Sequence, residues 1–131
     1  MLIKKSQSAI EFIVVFGALL FFFVAFFVVI NKNISEKNIE KERMIMQDTA
    51  LDIQEEIAIA SESSNGYSRN FNTPKNVLGK EYNANITGTF IYLSMGKFGI
   101  AYKIQNITGE LIKGENLIRK ENGKVYLNVR N

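Results

Sequence analysis

The 131-residue chain contains no cysteine and no histidine, and it has a single proline. Without cysteine there is no disulfide, thiolate ligand or thiol nucleophile, and without histidine there is no imidazole base or imidazole metal ligand. No glycine-rich phosphate loop, nucleophile elbow or paired-carboxylate site is recognisable in the sequence. We therefore assign no catalytic residue, no metal site and no cofactor, and we favour a structural or binding protein over an enzyme.

Charge is distributed unevenly along the chain, whose net charge is +3. Residues 1–30 carry a net charge of +1, residues 31–64 carry −4 and residues 65–131 carry +6. The basic side chains of the last segment are dispersed, and none of their clusters is longer than the pair Arg119-Lys120. This distribution is typical of a solvated surface, so no nucleic-acid partner is expected.

One long hydrophobic run occupies residues 12–30. These 19 residues contain no charged or strongly polar side chain and hold seven of the ten phenylalanines. As a helix they would span about 28 Å, close to the hydrocarbon thickness of a bilayer. The run has no polar face and is not followed by a small-residue cleavage site, so we predict a retained transmembrane helix. Lys4 and Lys5 before it favour a cytoplasmic amino terminus.

On a helical wheel the hydrophobic run has a bulky face and a small face. The bulky face holds Phe12, Phe16, Phe23 and Phe27, and the small face holds Gly17, Ala18 and Ala25. Small residues let neighbouring helices approach closely, so the two faces are suited to helix packing. A phenylalanine-rich lipid anchor would show a similar pattern, and the sequence leaves both interpretations open.

The residues before the run read Lys4-Lys5-Ser6-Gln7-Ser8-Ala9-Ile10-Glu11-Phe12. Glu11 adjoins the run, and an ionised carboxylate costs about 2.5 to 3.5 kcal/mol at the bilayer centre and less near an interface. Such a charge usually has a partner. The alternative is an acidic residue in the first helical turn, favoured by the helix dipole and hydrated by lipid headgroups.

This order of residues resembles archaeal type IV pilin-like proteins with class III signal peptides. The shared features, over residues 2–27, are a basic leader, a Gln, a small residue two positions later, a Glu four positions after the Gln, and an apolar helix. The resemblance implies that a membrane-embedded prepilin peptidase cuts on the cytoplasmic side, between Ser6 and Gln7. The residues carried over for recognition and assembly are Lys4, Lys5, Gln7, Ala9 and Glu11. Ser6 departs from the family, which more often has glycine or another very small residue before the cut.

The resemblance also implies the partners of the mature chain. Glu11 would become its fifth residue and pair with the amino-terminal amine of an adjacent, identical or related pilin subunit. A pilus assembly ATPase and a platform protein would be further partners. An amine and a carboxylate in an apolar environment attract strongly, and either one is penalised when left unpaired. Cyclisation of an amino-terminal Gln7 would remove the amine and leave Glu11 to find amide donors.

Apolar residues continue at helical spacing beyond the run. Met46, Ala50, Ile53, Ile57 and Ala60 follow the spacing i, i+4, i+7, i+11 and i+14. We expect an amphipathic helix over residues 31–64, weakest at 31–35, where it could kink. Asn65 and Gly66 supply its stop. The cluster Met44-Ile45-Met46 is expected to pack against the following sheet, and a surface for a partner protein is the alternative.

Beyond Gly66 the apolar period changes from 3.6 to 2. Alternation at residues 89–94, 98–105 and 125–129 predicts strands, and residues 95–97, 108–110 and 122–123 have the composition of tight turns. We expect an antiparallel meander of four or five strands over about residues 86–129. Residues 67–85 are expected to form a loop with at most one short strand.

Three sequons, at Asn33, Asn85 and Asn106, lie on the predicted outer side of the membrane. They are candidate N-glycosylation sites, and their position agrees with export. Asn-rich loops and strand edges produce the same tripeptides, so this alternative stays open.

The sequence as a whole predicts an α+β fold. The expected parts are a leader over residues 1–6, a transmembrane or filament-core helix over 7–30, an amphipathic helix over 31–64 and an antiparallel β head over 65–131. A small sheet needs the helix to cover one face, which gives a pilin-like outline.

The expected function is a structural subunit of an archaeal surface filament used for adhesion or surface attachment. The precursor would lie in the membrane with its head outside, and the assembled filament would be extracellular. The alternative is a single-pass membrane protein that never polymerises and displays the β domain as a binding module. That alternative gives no reason for Gln7 and Glu11.

Overall fold

The structure, a computed structural model, describes the backbone of residues 2–130 and the side chains of residues 4–130. A single helix, α1 (Leu2–Glu62), is followed by strands β1 (Ser68–Thr73), β2 (Asn83–Thr87), β3 (Phe90–Met95), β4 (Phe98–Lys103), β5 (Ile107–Gly109), β6 (Gly114–Glu121) and β7 (Lys124–Leu127). The chain divides into two compact units, Met1–Glu40 and Lys41–Asn131. The predicted α+β layout, a long amino-terminal helix before a small β region, is therefore confirmed.

The first unit is helical over its described residues, and every described side chain in it is exposed. Residues 31–35 are helical like their neighbours. No proline interrupts the helix in this unit, and the apolar side chains of residues 12–30 form one continuous run. The unit has no core of its own, because a lone helix can bury its side chains only against another surface.

The second unit has its core between the last turns of α1 and the strands. The five helix residues identified from their spacing are all buried, with relative exposures of 0–1%. They are Met46, Ala50, Ile53, Ile57 and Ala60. The predicted amphipathic face is thus confirmed. Of the methionine cluster, Ile45 and Met46 join the core while Met44 stays 62% exposed.

The strands form two sheets. One has the order β1-β6-β7-β5 and the other the order β2-β3-β4. The three-stranded sheet is antiparallel throughout, and its Ile91 and Leu93 point into the core. In the four-stranded sheet β5 pairs with β7 in parallel. The expected antiparallel meander is wrong at this point, because β5 runs parallel to β7 along one edge of that strand, while β6 pairs with the other edge of β7 and with β1.

Residues 67–85 contain more strand than the expected loop. Both β1 and β2 begin there. The sequence of β1, Ser-Arg-Asn-Phe-Asn-Thr, has no apolar alternation because it is an edge strand with four exposed residues. Its pairing with β6 is fixed by backbone hydrogen bonds, which a hydrophobic pattern does not report.

The expected turns are confirmed at two of three places. Asn122 and Gly123 have φ of 51° and 77°, as a type I′ turn between β6 and β7 requires. Gly96 lies between β3 and β4, as expected. Thr108 and Gly109, in contrast, lie in β5 and form its parallel pairs with β7. The expectation of a tight turn at 108–110 is wrong.

A buried asparagine organises the loop before β6. The Nδ2 atom of Asn116 donates to the carbonyl oxygens of Ile112, at 2.8 Å, and Gly114, at 3.0 Å. Its Oδ1 atom accepts from the Ile112 amide at 3.0 Å and from Asn128 Nδ2 at 2.7 Å. Strand β7 ends at Leu127, and the next residue, Asn128, has a φ of 56°, which is not an extended conformation. The expected strand therefore stops short of residue 129.

Candidate functional site

The motif that precedes the hydrophobic run lies in the first turns of α1. Lys4, Gln7 and Glu11 are separated by three and four positions, so they lie on one face of the helix. All three side chains are exposed, as are Lys5 and Ala9. The helix thus collects the basic, amide and acidic residues of the motif along one polar stripe directly before the apolar segment.

The Ser6–Gln7 peptide bond is in helical backbone. In an α-helix each carbonyl oxygen accepts from an amide four residues later, so a peptidase has to open local hydrogen bonds before it can reach the bond. Opening costs least near a helix end, where few tertiary contacts hold the turn. Ser6 and Gln7 lie within two turns of Leu2, the first residue of α1.

The hydrophobic segment is a candidate membrane anchor. An 18-residue window of α1 reaches a mean hydropathy of 3.2, and none of that window is buried. Exposure of the large apolar side chains between Phe12 and Val29 lies between 52% and 70%. Apolar exposure of this extent along residues 12–29 is typical of a surface that lipid or another protein covers.

The bulky and small faces expected from the sequence are both exposed on the helix. The rings of Phe12 and Phe16 are stacked, with centroids 6.1 Å apart. A β-carbon built on Gly17 would have no neighbour within 4 Å. The small face is therefore open to the approach of another helix.

Ala25 lies in a shallow apolar notch on this segment. Phe22, Phe26 and Val29 are three positions before, one after and four after Ala25, and with Phe23 they line the notch. The short side chain of Ala25 leaves space between the longer ones. The sequence showed Ala25 as a small residue but not the notch around it, because the depth depends on the rotamers of the neighbouring rings.

The three sequons fall in different backbone settings. Asn33 is in the middle of α1, Asn85 is in the edge strand β2, and Asn106 directly precedes β5. All three asparagines are exposed. N-glycosylation acceptors are expected in surface loops and other accessible extended segments, so the helical setting of Asn33 is the least suited of the three.

The second unit holds one tyrosine with a perturbed acidity. Tyr82 is 2% exposed, its hydroxyl donates to the Pro74 carbonyl, and the Lys113 ammonium lies 4.8 Å from its ring centroid. Burial raises the pKa of the Tyr82 hydroxyl above its ordinary value of 10.0, and a hydrogen bond with the Thr73 side chain opposes the rise. The hydroxyl is thus a neutral structural donor. No signal in the sequence indicated Tyr82, because residues 74–82 have no periodic pattern.

Acidic residues also line a groove between α1 and β1. Asp52, Glu55 and Glu56 face this groove, and Glu56 Oε1 lies 3.4 Å from Arg69 Nη2. The other carboxylate oxygen, Glu56 Oε2, is buried without a hydrogen-bond partner. In the part of the chain that the structure describes, no group of three or more acidic, cysteine or histidine residues has the arrangement of a metal site.

Comparison with known proteins identifies no relative. No family model, no curated protein and no solved structure matches this chain. The residues of the motif and the geometry of the two units are therefore the basis for a functional proposal.

Proposed function

We propose that this protein is a structural subunit of an archaeal type IV pilus-like surface filament. A prepilin peptidase cuts the precursor between Ser6 and Gln7, and the mature subunits assemble through their hydrophobic helices. The second unit faces outward and serves adhesion or surface attachment. The observation that carries the proposal is the polar stripe Lys4, Gln7 and Glu11, placed directly before an apolar helix that is exposed on all sides.

The exposed apolar helix supports assembly because it can exchange one apolar environment for another. Lipid tails cover the segment in the precursor, and neighbouring helices would cover it in a filament. The free energy that favours the filament comes from close packing between helices, because lipid tails are as apolar as leucine side chains. The open surface at Gly17 and the notch at Ala25 are where a neighbouring helix can approach most closely.

Glu11 supplies a register for this assembly. Cleavage before Gln7 creates a positively charged amine four residues from Glu11. Between helices that lie side by side, the amine of one chain and the carboxylate of the next would pair in a medium that does not solvate them. Either group left unpaired there would be strongly penalised, so subunits out of register are disfavoured.

The amino-terminal residue and intact mass of the protein from its native membrane or cell surface test this proposal. We expect a chain that begins at Gln7, open or cyclised. Cleavage there removes Lys4 and Lys5 and lowers the net charge from +3 to +1. An uncut chain that begins at Met1 would overturn the proposal and favour a membrane-anchored protein that does not polymerise.

A pair of variants sharpens the same measurement. Ser6→Gly places a very small residue before the cut and should be processed fully, while Ser6→Phe places a large ring there and should remain uncut. Equal processing of both would contradict a peptidase that selects small residues at this position.

A further inference from the structure

Two exposed aromatic rings lie on the outer face of the three-stranded sheet. Phe90 is 40% and Tyr92 is 45% exposed, whereas Ile91 and Leu93 between and after them are buried. The two ring centroids are 6.2 Å apart, with an interplanar angle of 40°. Alternation along β3 therefore directs both rings away from the core, and they form an apolar surface that nothing in the chain's second unit covers among its described residues.

The strand on one side, β4, leaves the Tyr92 ring open, while Phe90 is in register with Lys103. Tyr92 is in register with Ala101 of β4, and Ser94 is in register with Gly99. These two β4 residues have at most a methyl group above the sheet. The face of the Tyr92 ring is thus accessible from the β4 side, and a flat molecule could lie across it.

The strand on the other side carries a sequon. Asn85 is directly opposite Tyr92, and Thr87 is directly opposite Phe90. Ile86, between them, points toward the core. Side chains directly opposite each other in an antiparallel pair have β-carbons about 4.5 to 5.5 Å apart. The acceptor asparagine and the sequon threonine therefore stand on the same face as the two rings.

We propose that Asn85 carries an N-linked glycan whose first sugar packs on Tyr92 and Phe90. This inference rests on the proposed export of the second unit. In the transfer, Asn85 Nδ2 bonds to the anomeric carbon of a glycosyl phosphate donor. The bond from that carbon to the phosphate oxygen breaks, the phosphate leaves with the electron pair, and Nδ2 releases one proton to solvent.

The chemistry of a pyranose fits this surface. One face of such a ring presents mainly C–H groups, which pack on an aromatic ring, while its hydroxyl groups point to water. The β2 strand is at the edge of its sheet, so a transferase can reach Asn85 from the open side. Packing of the sugar would remove the two exposed aromatic rings from water.

The other two sequons lack this arrangement. Asn33 is in helical backbone. Asn106 lies one residue before β5, outside the register between β5 and β7. The aromatic residue in that register, Tyr126, lies opposite Thr108 and not opposite Asn106. Asn106 therefore serves as an internal control for a glycan without a directly opposed ring.

Glycopeptide mass spectrometry of the full chain from its native cell surface is the first test. We expect a glycan on Asn85, and its loss in Thr87→Val but not in Thr87→Ser, because only serine preserves the sequon. An unmodified Asn85 in a chain that begins at Gln7 would overturn this inference and leave the filament proposal standing. A chain that is not cut before Gln7 but is glycosylated at Asn85 would overturn the filament proposal and leave this inference standing.

Thermal unfolding of the same glycosylated protein tests the packing. Tyr92→Ser should lower the melting temperature by about 4 °C or more in the glycosylated chain, the shift typical of one packing interaction in a domain of this size. In the Thr87→Val background, which carries no glycan on Asn85, the same change should have a clearly smaller effect. Equal shifts in the two backgrounds would show that the sugar does not rest on Tyr92 and would overturn the packing.

Discussion

Gly109 lies against the backbone of Leu127, so closely that a β-carbon on it would be 1.8 Å from the Leu127 carbonyl oxygen. Gly109 also has a φ of 119°, a conformation that side-chain-bearing residues rarely adopt. Both conditions arise where β5 pairs in parallel with β7. The pairing of these two strands therefore depends on a residue without a side chain.

Gly109→Ala should destabilise the protein by about 2 kcal/mol or more. The added methyl group must displace the Leu127 carbonyl, and the alanine must adopt an unfavourable backbone conformation. Urea denaturation of the full chain in detergent, followed by circular dichroism, measures the free energy of unfolding. Gly123→Ala is the matched control. Its φ of 77° is also positive, but no atom lies within 4 Å of the added β-carbon, so its cost should be smaller, about 1 kcal/mol. Equal costs would contradict the close approach.

The buried hydroxyl of Tyr82 should make the protein sensitive to alkali. Its pKa in the folded chain is raised above 10.0, so the unfolded chain loses this proton first as the pH rises. The contribution of Tyr82 to stability is therefore complete below about pH 10 and is lost as the pH rises through the folded-state pKa.

Tyr82→Phe removes this dependence and also the hydrogen bond to the Pro74 carbonyl. The variant should be less stable by about 1 kcal/mol near neutral pH. The difference should narrow above pH 10, as measured by urea denaturation at several pH values. Tyr92→Phe removes an exposed hydroxyl and should keep the stability of the parent near neutral pH. A constant difference between Tyr82→Phe and the parent would contradict the titration.

Glu11→Gln should prevent filament formation while leaving the protein in the membrane. Removal of one partner from a pair that is shielded from water costs about 3 to 5 kcal/mol, enough to abolish assembly at each contact between subunits. Electron microscopy of sheared cell-surface material measures filament yield, and membrane fractionation measures the precursor. Glu36→Gln, also exposed on α1, should assemble normally. Normal filaments from Glu11→Gln would remove the proposed role of Glu11.

The notch at Ala25 gives a second test of helix packing. Ala25→Leu fills the space that Phe22, Phe26 and Val29 surround, so a neighbouring helix could no longer approach there. A loss of about 1.4 kcal/mol per contact would lower filament association tenfold. Leu20→Phe adds bulk on a face of the same helix about 140° away from Ala25 and should have little effect. Both variants should enter the membrane equally, and unchanged filament yield from Ala25→Leu would show that the notch faces away from other subunits.

The fold could be predicted where hydrophobic period and burial coincide. The helix face of Met46, Ile53 and Ile57 is an example, because one stripe of a helix must meet the core. Strand β1 was missed because it is a polar edge strand held by backbone pairing. The parallel position of β5 was missed because it depends on which edges remain open after β6 pairs with its two neighbours.

The candidate site also has one part that the sequence shows and another that depends on the folded structure. The sequence alone locates Gln7, Glu11 and the apolar run, since motif spacing and hydropathy are local properties. The facing of Asn85 toward Tyr92 depends on the register between two strands, and the notch at Ala25 depends on side-chain rotamers. Neither can be read from composition or period.

Both edges of the four-stranded sheet are poorly suited to adding a strand from another chain. One edge is β1, a strand of mostly polar side chains that includes Arg69, and the other is β5, only three residues long. Short or charged edges are poor templates for adding a foreign strand. Crowding many copies on one surface, as a filament does, would otherwise promote amyloid-like sheet extension between them. In the proposed filament, these edges would therefore keep the four-stranded sheets of neighbouring copies from joining, which leaves contact between subunits to the helices.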